Sequence, residues 1–156
     1  MKKILCLIDG LGSGGAQRQI VGLANLLKNI GYDVSIACYH QVYFYEEWIV
    51  SHQIPLIKLH PNPNRLSKYL SIRNLQKKER FDVIIAYLDG PTVISCLLKC
   101  LQGGFKLLVS ERNVTQNLCL SEKLKFLVYR FADSIIPNSY SQQDFIQNII
   151  LIYLIK

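Results

Sequence analysis

The sequence predicts an α/β domain built on a single parallel sheet, and three observations carry that expectation. Short β-branched, apolar runs alternate with longer segments of helical periodicity, the order produced when parallel strands are joined by helical crossovers. The run Phe81-Asp82-Val83-Ile84-Ile85-Ala86-Tyr87 is apolar on both faces over most of its length, as an interior strand covered on both sides must be. A glycine-rich turn, Asp9-Gly10-Leu11-Gly12-Ser13-Gly14-Gly15-Ala16, joins the first apolar run to the first amphipathic helix.

The elements follow in order. Lys3 to Ile8 forms the first strand, and a helix from about Ala16 to Ile30 puts Ala16, Ile20, Leu23, Ala24 and Leu27 on one face. Gly31 ends that helix as a left-handed cap. Val34 to Tyr39 is the second strand, a short helix covers Glu46 to Ser51, and Ile54 to Leu59 is the third strand. His60-Pro61-Asn62-Pro63-Asn64 is loop, because neither proline can continue a ladder or a helix. A basic helix spans Arg65 to Arg80, and the fourth strand is Phe81 to Tyr87. Asp89-Gly90-Pro91 turns into a helix from Thr92 to Leu101, and Gly103-Gly104 leads into the fifth strand, Phe105 to Ser110. A helix over Ser121 to Phe131, a sixth strand over Ser134 to Pro137 and a last helix starting near Ser141 complete the pattern. The expected architecture is a Rossmann-like parallel sheet of about six strands flanked by helices, with residues 1–140 as the domain and 141–156 as a terminal helix and apolar tail.

A chain of 156 residues holds one domain with a sizeable core and is too short for two. Half of its residues are hydrophobic, yet no run approaches the roughly 18 uninterrupted apolar residues of a membrane span. Met1-Lys2-Lys3-Ile4 resembles the start of a leader, but Asp9 and the glycines interrupt the apolar run too early. The reading is the first strand of a cytoplasmic protein. Cys6, Cys38, Cys96, Cys100 and Cys119 form no CxxC pair, so reduced core thiols are expected and no metal site is assigned, although Cys96 and Cys100 have the spacing to share a helix face.

The net charge of +7 is concentrated. Arg65, Lys68, Arg73, Lys77, Lys78 and Arg80 are interleaved with Leu66, Tyr69, Leu70, Ile72 and Leu75 in one helix. Such a helix suits an anionic membrane surface, or else is a packed surface helix with a solvated basic face. Nucleic acid is excluded as a partner, since no RNP-like aromatic pair, zinc-finger spacing or helix-turn-helix accompanies the charge.

Gly10, Gly12 and Gly15 satisfy the dinucleotide fingerprint between strand and helix. The fingerprint also needs an acid, or an arginine for a 2′-phosphate, at the end of the second strand. Here that strand runs into Tyr39-His40-Gln41-Val42. NAD(P) binding is therefore the minor alternative.

Leu11-Gly12-Ser13-Gly14-Gly15-Ala16-Gln17-Arg18, the leucine- and asparagine-containing helix Ile20 to Leu27, and Gly31-Tyr32-Asp33-Val34 together resemble the first half of a GT-B glycosyltransferase of the retaining group 4. Ser110-Glu111-Arg112-Asn113 and the strand leading into Asn138-Ser139 extend the resemblance in the same order. Gln17 stands where that family has glutamate. The resemblance implies a nucleotide-sugar co-substrate with no other cofactor, a glycan or lipid-linked acceptor, and a partner donor lobe carrying a Glu-x7-Glu motif that these residues do not contain. It places the chain in the cytoplasm, peripheral on the inner membrane, and inactive alone. A natural half-enzyme recruiting a separate catalytic chain is the alternative within the same family.

Ligands of an open α/β sheet bind outside the carboxyl ends of the strands. The candidates gathered there are Gly12, Gly14 and Gly15 after the first strand, Asp89 after the fourth, Glu111, Arg112 and Asn113 after the fifth, and Asn138 and Ser139 after the sixth. Asp89 and Asn113 are equally readable as turn or cap residues. By resemblance, the Gly14-Gly15 backbone approaches the donor diphosphate, and Glu111 to Asn113 face the acceptor or sugar. Many family members carry a histidine near the Ser110–Arg112 segment; His40, His52 and His60 all lie elsewhere and are read as surface or loop residues.

Overall fold

Alternate residues of the first strand enter different cores. Leu5 and Leu7 join one buried cluster, whereas Ile4, Cys6 and Ile8 join another, so both faces of the sheet must be covered. A computed structural model of the chain, describing residues 1–59, 64–112, 120–144 and 146–147, has that arrangement. The elements are β1 (Lys3–Leu7), α1 (Gly15–Asn29), β2 (Asp33–Cys38), α2 (Glu46–Ser51), β3 (Leu56–Lys58), α3 (Arg65–Glu79), β4 (Val83–Tyr87), α4 (Asp89–Gln102), β5 (Lys106–Glu111), α5 (Leu120–Tyr129) and β6 (Ser134–Pro137). A further helical stretch begins at Tyr140.

The six strands are all parallel, in the order β3-β2-β1-β4-β5-β6. α1 and α2 cover one face through Ile20, Val21, Ala24 and Ile49. α3, α4 and α5 cover the other through Ile72, Ile94, Leu98, Phe126 and Tyr129. Each such fully buried large side chain contributes about 1.5–3 kcal/mol relative to exposure, so the two apolar faces, rather than helix propensity, hold the layers together.

Gly31 follows α1 with φ +96, the left-handed geometry expected there. Most boundaries differ from the sequence reading by one or two residues, β3 for instance shortening from Ile54–Leu59 to Leu56–Lys58, and three of the differences bear on the site or its surroundings. α4 starts at Asp89 rather than Thr92 and takes Gly90 and Pro91 into its first turn, where a proline's missing N–H costs nothing. β5 continues to Glu111, which pairs with Pro137 of β6. α3 stops at Glu79, and Arg80 caps it in the left-handed region with φ 53. The prolines of the 60–63 segment and the apolar tail from Asn148 to Lys156 lie outside the described residues.

Candidate functional site

The strand order reverses between β1 and β4, so the chain leaves these two neighbours in opposite directions. The crevice at their carboxyl ends is where an open α/β sheet receives a ligand. Its two lips are the glycine turn after β1 and Leu88-Asp89-Gly90 after β4.

The glycine turn is stitched to the chain leaving β2. Asp9 accepts the Gly10 amide on its side chain at 2.7 Å, and its carbonyl accepts the Tyr39 and His40 amides at 3.1 and 2.7 Å. The Leu11 amide donates to Val42 at 2.8 Å, and the Phe44 amide donates back to Leu11 at 2.7 Å. A Cβ on Gly10 would stand 3.1 Å from His40 Cβ, so a side chain here would have to push His40 aside. Gln17, third residue of α1, turns back so that its Oε1 occupies the space a Gly14 side chain would need. Gly15 instead faces open space. The N-cap Gly14 supplies no side-chain bond and α1 has no acid in its first turn, leaving the first amides and the positive end of the helix dipole for an anion.

The β4 lip is strained. Leu88 has φ 70 and ψ 162, a region that is nearly glycine's alone and costs on the order of 1–3 kcal/mol. Gly90 then passes under Tyr39, whose hydroxyl would be 2.7 Å from an added Cβ. The Asp89 carboxylate sits at the opening with 43% of its side chain exposed, and it pairs with Lys125 of α5 at 3.2 Å.

Lys125 is buried, and its ammonium also lies 3.6 Å from Glu111. Glu111 is 2% exposed and accepts the Tyr129 hydroxyl. Burial and then the Glu111 charge push the Tyr129 phenol far above its ordinary range, so it stays a neutral donor. Glu111 is thus held inside the domain. Arg112 lies with its guanidinium 5.0 Å from the Tyr87 ring centroid and donates to the Tyr87 hydroxyl at 3.3 Å. Its Nε is buried with no partner among the described residues.

Farther along the edge, Asn138 donates to the Arg112 carbonyl at 3.4 Å. The Ser139 hydroxyl accepts the Gln142 amide at 3.2 Å, a cap for the helix beginning at Tyr140. Both residues line a cavity of about 820 Å³ running along β6 between Tyr129 and Gln147, separated from the crevice by β5. Asn113, His60 and Cys119 lie outside the described residues. Among those described, no three His, Cys, Asp or Glu side chains form a metal cluster. Cys96 is buried and Cys100 exposed, and both are free thiols.

The basic helix is not uniform. Lys68 is turned to the rim, its ammonium 3.3 Å from His40 Nε2 and 4.6 Å from the Tyr39 ring centroid. Lys78 approaches Glu79 at 3.9 Å. Leu66 and Leu70 are exposed while Ile72 is buried. No helix among the described residues is long and apolar enough to cross a membrane.

The family model for Glycosyltransferase Family 4 matches residues 13–150. The chain belongs to this glycosyltransferase family. A Campylobacter jejuni GalNAc-α-(1→4)-GalNAc-α-(1→3)-diNAcBac-PP-undecaprenol α-1,4-N-acetyl-D-galactosaminyltransferase is 31% identical over 120 residues, covering 72% of this chain and 33% of the relative. A second enzyme of that organism, an N-acetylgalactosamine-N,N'-diacetylbacillosaminyl-diphospho-undecaprenol 4-α-N-acetylgalactosaminyltransferase, is 25% identical, covering 95% of this chain and 44% of the relative. The fold is shared with Anabaena Alr3699/HepE, solved with UDP-glucose, at TM-score 0.75 and 17% identity, over 96% of this chain and 41% of that one. A Rickettsia africae glycosyltransferase gives TM-score 0.74 at 21% identity, over 95% of this chain and 40% of that one. This family 4 chain therefore has the fold of an N-terminal GT-B domain and spans between a third and a half of these relatives.

Lys125, Tyr129, Tyr87 and Leu88 were invisible as site residues in the sequence. The available signal was Lys125 and Tyr129 four apart, the spacing that puts two residues on one helix face.

Proposed function

We propose that this domain is the acceptor-side half of an enzyme that moves a sugar from a nucleotide-sugar donor to a lipid-linked or glycan acceptor. The observation that carries the reading is the crevice at the strand-order reversal, one lip carrying the N-terminus of α1 with no N-cap side-chain bond and the other the partly exposed Asp89 carboxylate. Amides at a helix N-terminus suit a diphosphate, and a fixed carboxylate suits sugar hydroxyls. The two Campylobacter relatives, both named as N-acetylgalactosaminyltransferases acting on diphospho-undecaprenol-linked glycans, support that pairing. Arg112 lies over Tyr87, whose cluster also holds the α1 residues Ile20 and Val21, so the guanidinium shares the sheet face of the glycine turn.

Transfer needs donor and acceptor clamped with water excluded, and the crevice supplies one wall. The donor lobe, from the same or a separate chain, supplies the other, so this half alone is expected to turn over no substrate. Arg65, Arg73 and Lys77 have no carboxylate partner among the described residues and share α3 with exposed Leu66 and Leu70. That combination favours peripheral contact with an anionic membrane at the cytoplasmic face, where a lipid-linked acceptor would be reached.

The test is an amide NMR titration of the chain with a short-chain prenyl diphospho-N-acetylhexosamine, UDP-N-acetylglucosamine and NAD. Saturable shifts at Gly12, Gly15 and Asp89 with the prenyl compound are expected. Shifts at those residues with NAD alone would overturn the reading. Co-sedimentation with anionic but not zwitterionic vesicles, lost on replacing Arg65, Arg73 and Lys77 with glutamine, tests the membrane contact.

A further inference from the structure

We propose that Lys125 is a positioning residue: from α5 it holds the strained β4–α4 lip in shape and so fixes where Asp89 stands at the crevice. That function for Asp89 rests on the reading above; the mechanical claim does not. A residue in a glycine-only backbone region persists only when its surroundings over-determine it. For Leu88 (φ 70, ψ 162) those surroundings can be named. Before it, Tyr87 is fixed in the sheet opposite Ser110. After it, the Leu88 carbonyl accepts the Thr92 amide at 3.1 Å, the first turn of α4. Between these anchors the chain must reverse direction, and the side chain immediately following the strain, Asp89, is gripped by Lys125 at 3.2 Å.

Lys125 is suited to that task. It is 6% exposed, so the ammonium end of the pair is shielded from solvent while Asp89 stays partly open. It is anchored a second time by Glu111 at 3.6 Å, and Glu111 is fixed by the end of β5 and by the Tyr129 hydroxyl. One ammonium therefore ties the last residue of β5 to the first residue of α4. Asp89 meets solvent already oriented from behind, which is what a carboxylate meant to meet a substrate needs.

The experiment compares Leu88→Gly with Leu88→Ala by urea unfolding of the 156-residue chain. Both lose the leucine side chain, so their difference reports the backbone alone. In the otherwise unaltered chain, glycine should be favoured over alanine by about tenfold in the folding equilibrium constant, the reverse of the usual order. In a background carrying Lys125→Met with Glu111→Gln, which leaves no buried carboxylate unpaired and keeps an acceptor for Tyr129, the preference should fall to about twofold or less, because the released turn relaxes. Lys125→Arg should retain it. Asp89→Asn, at the surface, provides the same comparison should the double background fail to fold. A glycine preference of equal size with and without the Lys125 grip would overturn the proposal, as would the lack of any preference in the unaltered chain. No sugar ligand enters this measurement, so its failure is distinct from failure of the functional reading.

Discussion

Gly90→Ala tests whether the crevice is as closely packed as its geometry implies. A Cβ on Gly90 would stand 2.7 Å from the Tyr39 hydroxyl, against an ordinary contact starting near 3.4 Å, so one group must yield by about 0.7 Å. Tyr39 has little room: it is 4% exposed, lies under the Lys68 ammonium at 4.6 Å and meets His40 edge-on at 4.9 Å. Overpacking of this kind costs about 1–3 kcal/mol. Replacing a glycine in a helical turn returns up to about 1 kcal/mol. The net expectation is a loss of about 1–2 kcal/mol, or several degrees in Tm for a domain of this size. Tyr39→Phe removes only the obstructing oxygen. With phenylalanine in place, Gly90→Ala should be neutral or mildly stabilising, giving a coupling of about 1–2 kcal/mol in a double-mutant cycle read by urea unfolding. If Gly90→Ala is equally damaging beside tyrosine and phenylalanine, the clash is not the cause and the packing argument fails.

Asp133 contributes to the acid limb of stability. The Leu107 amide at 2.8 Å chiefly, with Lys99 and Lys106 at 2.9 and 3.0 Å, outweighs burial and holds its carboxyl well below the usual range. A depressed folded pKa stabilises above the unfolded value of about 4 and loses that contribution as pH falls through it. Asp133→Asn should therefore lower stability at neutral pH and flatten the decline below about pH 4; parallel acid-unfolding curves for the two proteins would refute the assignment. Among the described cysteines, Cys100 should alkylate first in the native chain, because burial pushes the Cys6, Cys38 and Cys96 thiols up to about 12, 11 and 12. Mass mapping after brief iodoacetamide treatment decides it, and equal labelling of Cys38 counts against the burial. Asn64 caps α3 by accepting the Leu66 amide at 3.0 Å, so Asn64→Ala should cost about 1 kcal/mol. An unchanged urea midpoint would remove the cap from the account.

The sheet was legible because its signals are local. Doubly apolar strands, amphipathic α1 and Gly31 each state their place without reference to the rest of the chain. The crevice lips were legible for a related reason: strand ends carry the polar residues of such a fold, and Gly10, Gly12 and Gly15 mark the first of them. What sequence could not give was direction in three dimensions. Lys68 belongs by composition to a basic helix, yet it reaches His40 at the rim. Leu88 adopts a conformation that leucine does not advertise, and Gly90, which looked like the turn residue, is bare because of Tyr39. Lys125 appeared as one of three charges in its helix, with Glu122 and Lys123, and only packing reveals that two carboxylates converge on it.

The adjacent pair Glu111 and Arg112 illustrates why charge in sequence is an incomplete guide to a site. Successive residues at the end of a strand point to opposite faces of the sheet. Glu111 accordingly enters the side occupied by α4 and α5, where Tyr129 and Lys125 satisfy it. Arg112 goes to the other side, over Tyr87, on the face that α1 covers. Read in sequence, the two charges neutralise each other; in the fold, each is apart from the other and near a different helix. A buried carboxylate with a buried counter-ion is costly to disturb and has little left to offer a ligand. An arginine lying over an aromatic ring, with a buried nitrogen that has no partner among the described residues, can still gain by meeting an anion. Of this pair Glu111 is the one satisfied within the fold, and we propose Arg112 as the one that can meet a ligand.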